Sequence, residues 1–152
     1  MPRPAVHPLV RRRDAAQAVV DRLSGRNLVW GRFDCGRSIV APVLKAMGHH
    51  CPLARFGEYR NEFGARRALA RNGFASMEDF LDQVPLLRIG HASLLPADFI
   101  GLQAEGDWLG IGVHLGNGRA FTFSPDPVSG VPIGHVVQPL KIAAAWRVPC
   151  LL

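Results

Sequence analysis

The chain has 152 residues, 48% of them apolar, and a formal charge of +6. That length and apolar share are enough for one continuous hydrophobic core, and they predict an extended N-terminal arm over residues 1–13 and a single domain over 14–152, with no linker between domains. No run approaches the roughly 18 uninterrupted apolar residues of a membrane span, and the start of the chain, with Arg11-Arg12-Arg13, lacks the apolar stretch of a signal peptide, so the expectation is a soluble protein made in the cytoplasm.

Cys35, Cys51 and Cys150 are odd in number and irregularly spaced, which argues against a disulfide framework and leaves at least one thiol free. No paired C-x-x-C metal signature exists, and adjacent residues such as His49-His50-Cys51 diverge in direction, so neither a metal nor a cofactor is expected. Arginine supplies most of the positive charge, lysine occurring only at 45 and 141, and the basic residues are dispersed along the chain. A solvated basic surface or a contact with an acidic partner fits this pattern better than nucleic-acid binding, for which there is no reading motif and no basic face interleaved with aromatics.

Pro2, Pro4 and Pro8 predict the extended arm, because proline fixes φ and removes a backbone donor. Ala15, Ala18, Val19 and Leu23 recur at helical spacing and predict a helix over 14–23, closed by Gly25. After Leu28-Val29-Trp30-Gly31, an extended piece, Asp34 is a good N-cap for a helix over 35–47, with Cys35 in its first turn and a bend where Pro42 leaves the Ser38 carbonyl without its usual donor. Further helices are predicted over 62–72 and over 77–84, where Ser76 and Asp79 have capping-box spacing and Pro85 ends the run.

The second half changes character. Residues 99–103, 109–115, 119–123 and 131–137 are short apolar or alternating runs, and 145–148 reads as a closing strand. Gly116-Asn117-Gly118 predicts a tight hairpin, since Asn and Gly tolerate the positive φ of primed turns. Helices first and a meandering sheet second predict an α+β fold, with the N-terminal helices packed on a C-terminal antiparallel sheet.

Cys35 is the candidate nucleophile. A thiol at a helix N-terminus faces unpaired N–H groups and the positive end of the helix dipole, both of which favour thiolate. Asp34 is expected to cap the turn rather than move protons. The alternative is that Cys35 is a small buried hydrophobe of the core. Trp30, Trp108 and Trp146 read as core or interface anchors.

Trp30-Gly31-Arg32-Phe33-Asp34-Cys35, then Pro96-Ala97-Asp98-Phe99-Ile100, then Gly112-Val113-His114-Leu115-Gly116-Asn117-Gly118 resemble the NlpC-type, papain-like cysteine peptidases. In that family W-G-x-x-D-C presents the nucleophile, a P-G-D segment opens the sheet and an H-V-G-I-Y-L-G-N-G hairpin supplies the histidine. The chain is most similar to a branch associated with phage tails, through Tyr59-Arg60, Gly64-Ala65-Arg66 with Leu69, and the closing Ala145-Trp146-Arg147-Val148. The likeness spans about residues 15–149.

A gap-free overlay on the family hairpin puts Gly110 at the histidine position and Thr122 at the orienting polar position. His114 shares a strand face with Gly110 but lies roughly 13 Å further along, so it completes a pair with Cys35 only in a different register. Cys35 and His114 are nonetheless the candidate catalytic residues, with His91 and His135 as weaker substitutes for the base. The resemblance implies one of two functions: a tail-tip (baseplate) assembly component of a tailed phage with a degenerate hydrolase site, or an active cysteine amidase or peptidase that cleaves peptidoglycan stem peptides. Either way it implies a virion protein made in the host cytoplasm, with other tail-tip proteins and peptidoglycan as partners.

Overall fold

The computed structural model describes residues 1–84, 86–103 and 109–152. Pro85, the expected helix stop, and Trp108, an expected anchor, lie outside the described residues. Helix α1 spans Pro8–Leu23, so it starts well before residue 14 and the extended arm is limited to residues 1–7. The cause is local: Pro8 sits in the first turn, where a missing N–H costs nothing, and His7 Nδ1 accepts the Leu9 N–H at 3.1 Å as a cap.

The helix expected over 35–47 is two pieces, a π-helix at Cys35–Val40 and α2 at Ala41–Ala46. At the junction the Ala41 N–H reaches back to Gly36 O, five residues away, and Pro42 enters in the first turn of α2. The Ser38 carbonyl that Pro42 cannot serve accepts instead from the Arg22 guanidinium of α1 at 2.9 Å. Helix α3 (Glu62–Arg71) is capped by Asn61 and α4 (Met77–Gln83) by Ser76, whose hydroxyl accepts the Asp79 N–H at 3.1 Å. Short 3-10 turns lie at Pro52–Phe56 and His91–Ser93. No helix among the described residues is long and apolar enough to cross a membrane.

Among the described residues six strands form one antiparallel sheet: β1 (Leu87–Arg88), β2 (Phe99–Gln103), β3 (Leu109–Gly116), β4 (Arg119–Pro125), β5 (Pro132–Val137) and β6 (Ala144–Arg147), in the order β1-β6-β2-β3-β4-β5. The architecture is α+β. Strand β1 escapes sequence reading because two residues carry no alternation. The β3–β4 hairpin turns through Asn117 (φ 54°) and Gly118 (φ 70°), the paired positive values of a type I′ turn.

Period two sends Phe99, Ile111, Val113, Phe121 and Trp146 into one core with Val19, Leu23, Ile39, Leu44 and Phe80 of the helices. Trp146 is fully buried, yet its indole N–H donates to Asp82 Oδ1 at 2.9 Å, and Arg88 clamps the same carboxylate, which ties β6 to α4.

A second polar knot holds the ends of the sheet. Asp98, fully buried just before β2, accepts from Arg12 (3.0 Å) and the Val148 N–H (3.0 Å) through Oδ1, and from Arg147 (2.9 Å) and the Leu95 N–H (2.9 Å) through Oδ2. The preceding residue, Ala97, has φ 69°, a region that favours glycine.

Candidate active site around Cys35

The turn that carries Cys35 is built on Asp34, whose side chain is almost wholly buried. Its Oδ1 accepts the Arg37 N–H at 2.8 Å, the expected cap, while Oδ2 accepts the Gly31 N–H at 2.8 Å and the Tyr59 hydroxyl at 2.7 Å. Gly31 is required twice over. Its φ is +86°, and a Cβ there would lie 2.1 Å from the Tyr59 carbonyl oxygen. Gly64 presses on the same residue, since its Cβ would come within 3.1 Å of Tyr59 Cβ. The Arg37 guanidinium covers the Tyr59 ring at 4.9 Å and bonds the Gly57 carbonyl. Tyr59 is thus the hinge pin between the segment around Cys35 and α3, a role that no periodicity in the sequence announces.

Cys35 opens the π-helix and packs against the core beside β3. Backbone N–H groups of Ile111, Gly36 and Cys35 face the sulfur and favour thiolate, but burial raises the thiol first and the Asp34 carboxylate raises it further, to about 12. The N–H groups at the helix end act in the expected direction, but burial and the Asp34 charge outweigh them.

Strand β3 pairs with β2 over Leu109–Val113, whereas its pairing with β4 runs from Val113↔Phe121 to Gly116↔Arg119. The seam between β3 and β4 is therefore unpaired at the Cys35 end, which leaves the Ile111 N–H available to the sulfur. A groove of about 530 Å³ lies there, with an apolar wall that includes Leu28, Trp30, Leu102, Phe123 and Pro132, and with Cys35, Glu62, Gly110, Thr122 and Ser124 also facing it. A second cavity behind Cys35, bounded by Tyr59 and Met77, has room for one water, at about 20 Å³.

Gly110 and Thr122 line the groove beside Cys35, and they occupy the two places where the gap-free overlay calls for a histidine and its polar partner. His114 does not join them. It lies on β3 three residues beyond Ile111, about 10 Å along the strand, where its N–H donates to Asp98 O at 2.8 Å and its carbonyl accepts from Ala97 at 2.9 Å. The ring is buried, and Nδ1 has no hydrogen-bond partner among the described residues.

His91 is exposed in its 3-10 turn, and His49 bonds the Pro149 carbonyl through Nε2 at 2.6 Å. His135, on β5, bonds the Ser124 hydroxyl. Sequence reasoning named His135 but missed Ser124, because a hydroxyl in an alternating strand looks like any solvent-facing residue.

No curated protein and no solved structure matches the chain. A family model described as a domain of unknown function, DUF6950, matches residues 9–148, and the chain belongs to that family.

Proposed function

We propose that this chain is an NlpC-like, papain-like domain that serves as a tail-tip (baseplate) assembly component of a tailed phage, with the hydrolase chemistry of Cys35 degenerate. The observation that carries the reading is the groove. Cys35 shares it with Gly110 and Thr122, none of the six histidines lines it among the described residues, and the thiol is held at about 12. A protonated thiol in a groove that no histidine lines among the described residues has no imidazole base placed to start attack on an amide.

The family likeness draws support from how its segments meet. W-G-x-x-D-C and the Tyr59–Leu69 segment interlock at Tyr59, while Pro96-Ala97-Asp98 and the closing Ala145-Trp146-Arg147-Val148 interlock at Asp98. Segments that depend on one another in three dimensions keep their order and spacing for a single physical reason. The exposed arm over residues 1–7 suits a component that orders on a neighbouring tail-tip protein, and exposed arginines suit an interface.

The competing reading is an active cysteine amidase acting on peptidoglycan stem peptides, and the three N–H groups facing the sulfur favour it. Digestion of purified cell wall separates the two. Little release by either the wild type or Cys35→Ala is expected, with Cys35→Ala assembling normally into particles and a deletion of residues 1–7 incorporating poorly. Clear digestion by the wild type that Cys35→Ala abolishes would overturn the proposal.

A further inference from the structure

A hydroxyl–imidazole contact stands at the edge of the same groove. Thr122 faces His135 across the β4–β5 ladder and Ser124 faces Ile133, so Ser124 and His135 are diagonal neighbours on one face of the sheet. Ser124 lines the groove, and its Oγ is within hydrogen-bonding distance of His135 Nε2. A hydroxyl in hydrogen-bond contact with an imidazole is the pairing that activates a weak nucleophile.

We propose that Ser124 and His135 form an acyl-transfer pair that hydrolyses esters of apolar carboxylic acids bound in the groove, independently of Cys35. The groove has the volume of a small-molecule site, and Leu102, Phe123 and Pro132 offer an acyl chain an apolar wall. As Ser124 Oγ bonds to the ester carbonyl carbon, its proton passes to His135 Nε2. The carbon–alkoxide bond then breaks and the leaving alcohol takes that proton. Water attacks the acyl-serine next, giving one proton to Nε2, and that proton returns to Oγ as the carboxylic acid departs.

The test is labelling of the full chain with a fluorophosphonate probe, mapping of the adduct by peptide mass spectrometry, and turnover of p-nitrophenyl butyrate. A single adduct on Ser124 is expected in the wild type. It should disappear in Ser124→Ala, and His135→Gln, with an unchanged circular dichroism spectrum, should slow labelling by about 100-fold or more. Mapping on the wild type needs no variant to fold. Absence of an adduct on folded wild type, an adduct on any other residue, or labelling that survives in Ser124→Ala would each overturn the proposal. Because none of these outcomes depends on Cys35, the result is independent of the assembly reading.

Discussion

Two buried carboxylates organise this molecule, and they differ in what surrounds them. Asp98 meets two guanidiniums and two backbone N–H groups, so its charge is neutralised where it sits. Asp34, nearly as buried, is met at its oxygens by neutral donors: two backbone N–H groups and a phenol. The uncompensated charge is felt next door, where Asp34 raises the thiol of Cys35 and the hydroxyl of Tyr59, in both cases after burial itself. One capping residue therefore shapes the turn that presents the thiol and helps to keep that thiol protonated. A helix N-terminus activates a cysteine only when burial and neighbouring charge do not outweigh the dipole.

The contrast is most severely tested at Asp98. Asp98→Ala strands the buried Arg12 guanidinium, and a loss of about 3–5 kcal/mol in chemical denaturation is expected. A loss below about 1 kcal/mol would mean that solvent reaches the knot. Gly31→Ala comes next, at about 2–3 kcal/mol, from an L residue held at positive φ and a clash with the Tyr59 carbonyl. Tyr59→Phe removes only the hydrogen bond to Asp34 and should cost about 1–2 kcal/mol.

The electrostatic half of the comparison is read from pH. Because the folded thiol lies above its ordinary 9.0, its contribution is complete below pH 9.0 and disappears as pH rises toward about 12. Stability should fall there by at most about 1.4 kcal/mol per pH unit from this group, with Tyr59 adding in the same direction at higher pH. Denaturant midpoints measured from pH 8 to 11 check this, and Cys35→Ala should flatten the slope. Asp34→Asn should lower the pH at which iodoacetamide alkylates Cys35 while leaving it above 9.0, since burial is the larger cause. The smallest effect on stability is expected for Gly110→His. A Cβ there meets nothing nearer than the Leu102 carbonyl at 3.8 Å, so the cost should stay within about 1 kcal/mol. In exchange, an imidazole beside the thiol should raise alkylation at pH 7, and an unchanged rate would show that the open seam does not bring position 110 within reach of the sulfur.

Much of the architecture was legible because it is local. Asp34, Asn61 and Ser76 are caps that name their helices, and the Asn117-Gly118 turn dictates its hairpin by backbone sterics alone. Strand β1 and the early start of α1 were not legible, since one is too short for a pattern and the other rests on a single histidine cap. The site was half legible. The Cys35 turn and the glycine at 110 follow from residue order, but the state of the thiol depends on groups brought from β3 and from the Tyr59 segment, far away in the chain.

By itself the sequence determined which residues begin helices, where the chain reverses, which strand face is apolar and which cysteine opens a helix, because each depends on neighbours within a few positions. Tertiary structure alone decided that Pro42 is accommodated by a π-turn with Arg22 on the orphaned carbonyl, that burial and Asp34 raise the Cys35 thiol, and that Ser124 meets His135 beside the groove. Burial, Coulombic coupling and hydrogen bonding across strands act through space between residues distant in the chain, and no local pattern encodes their balance.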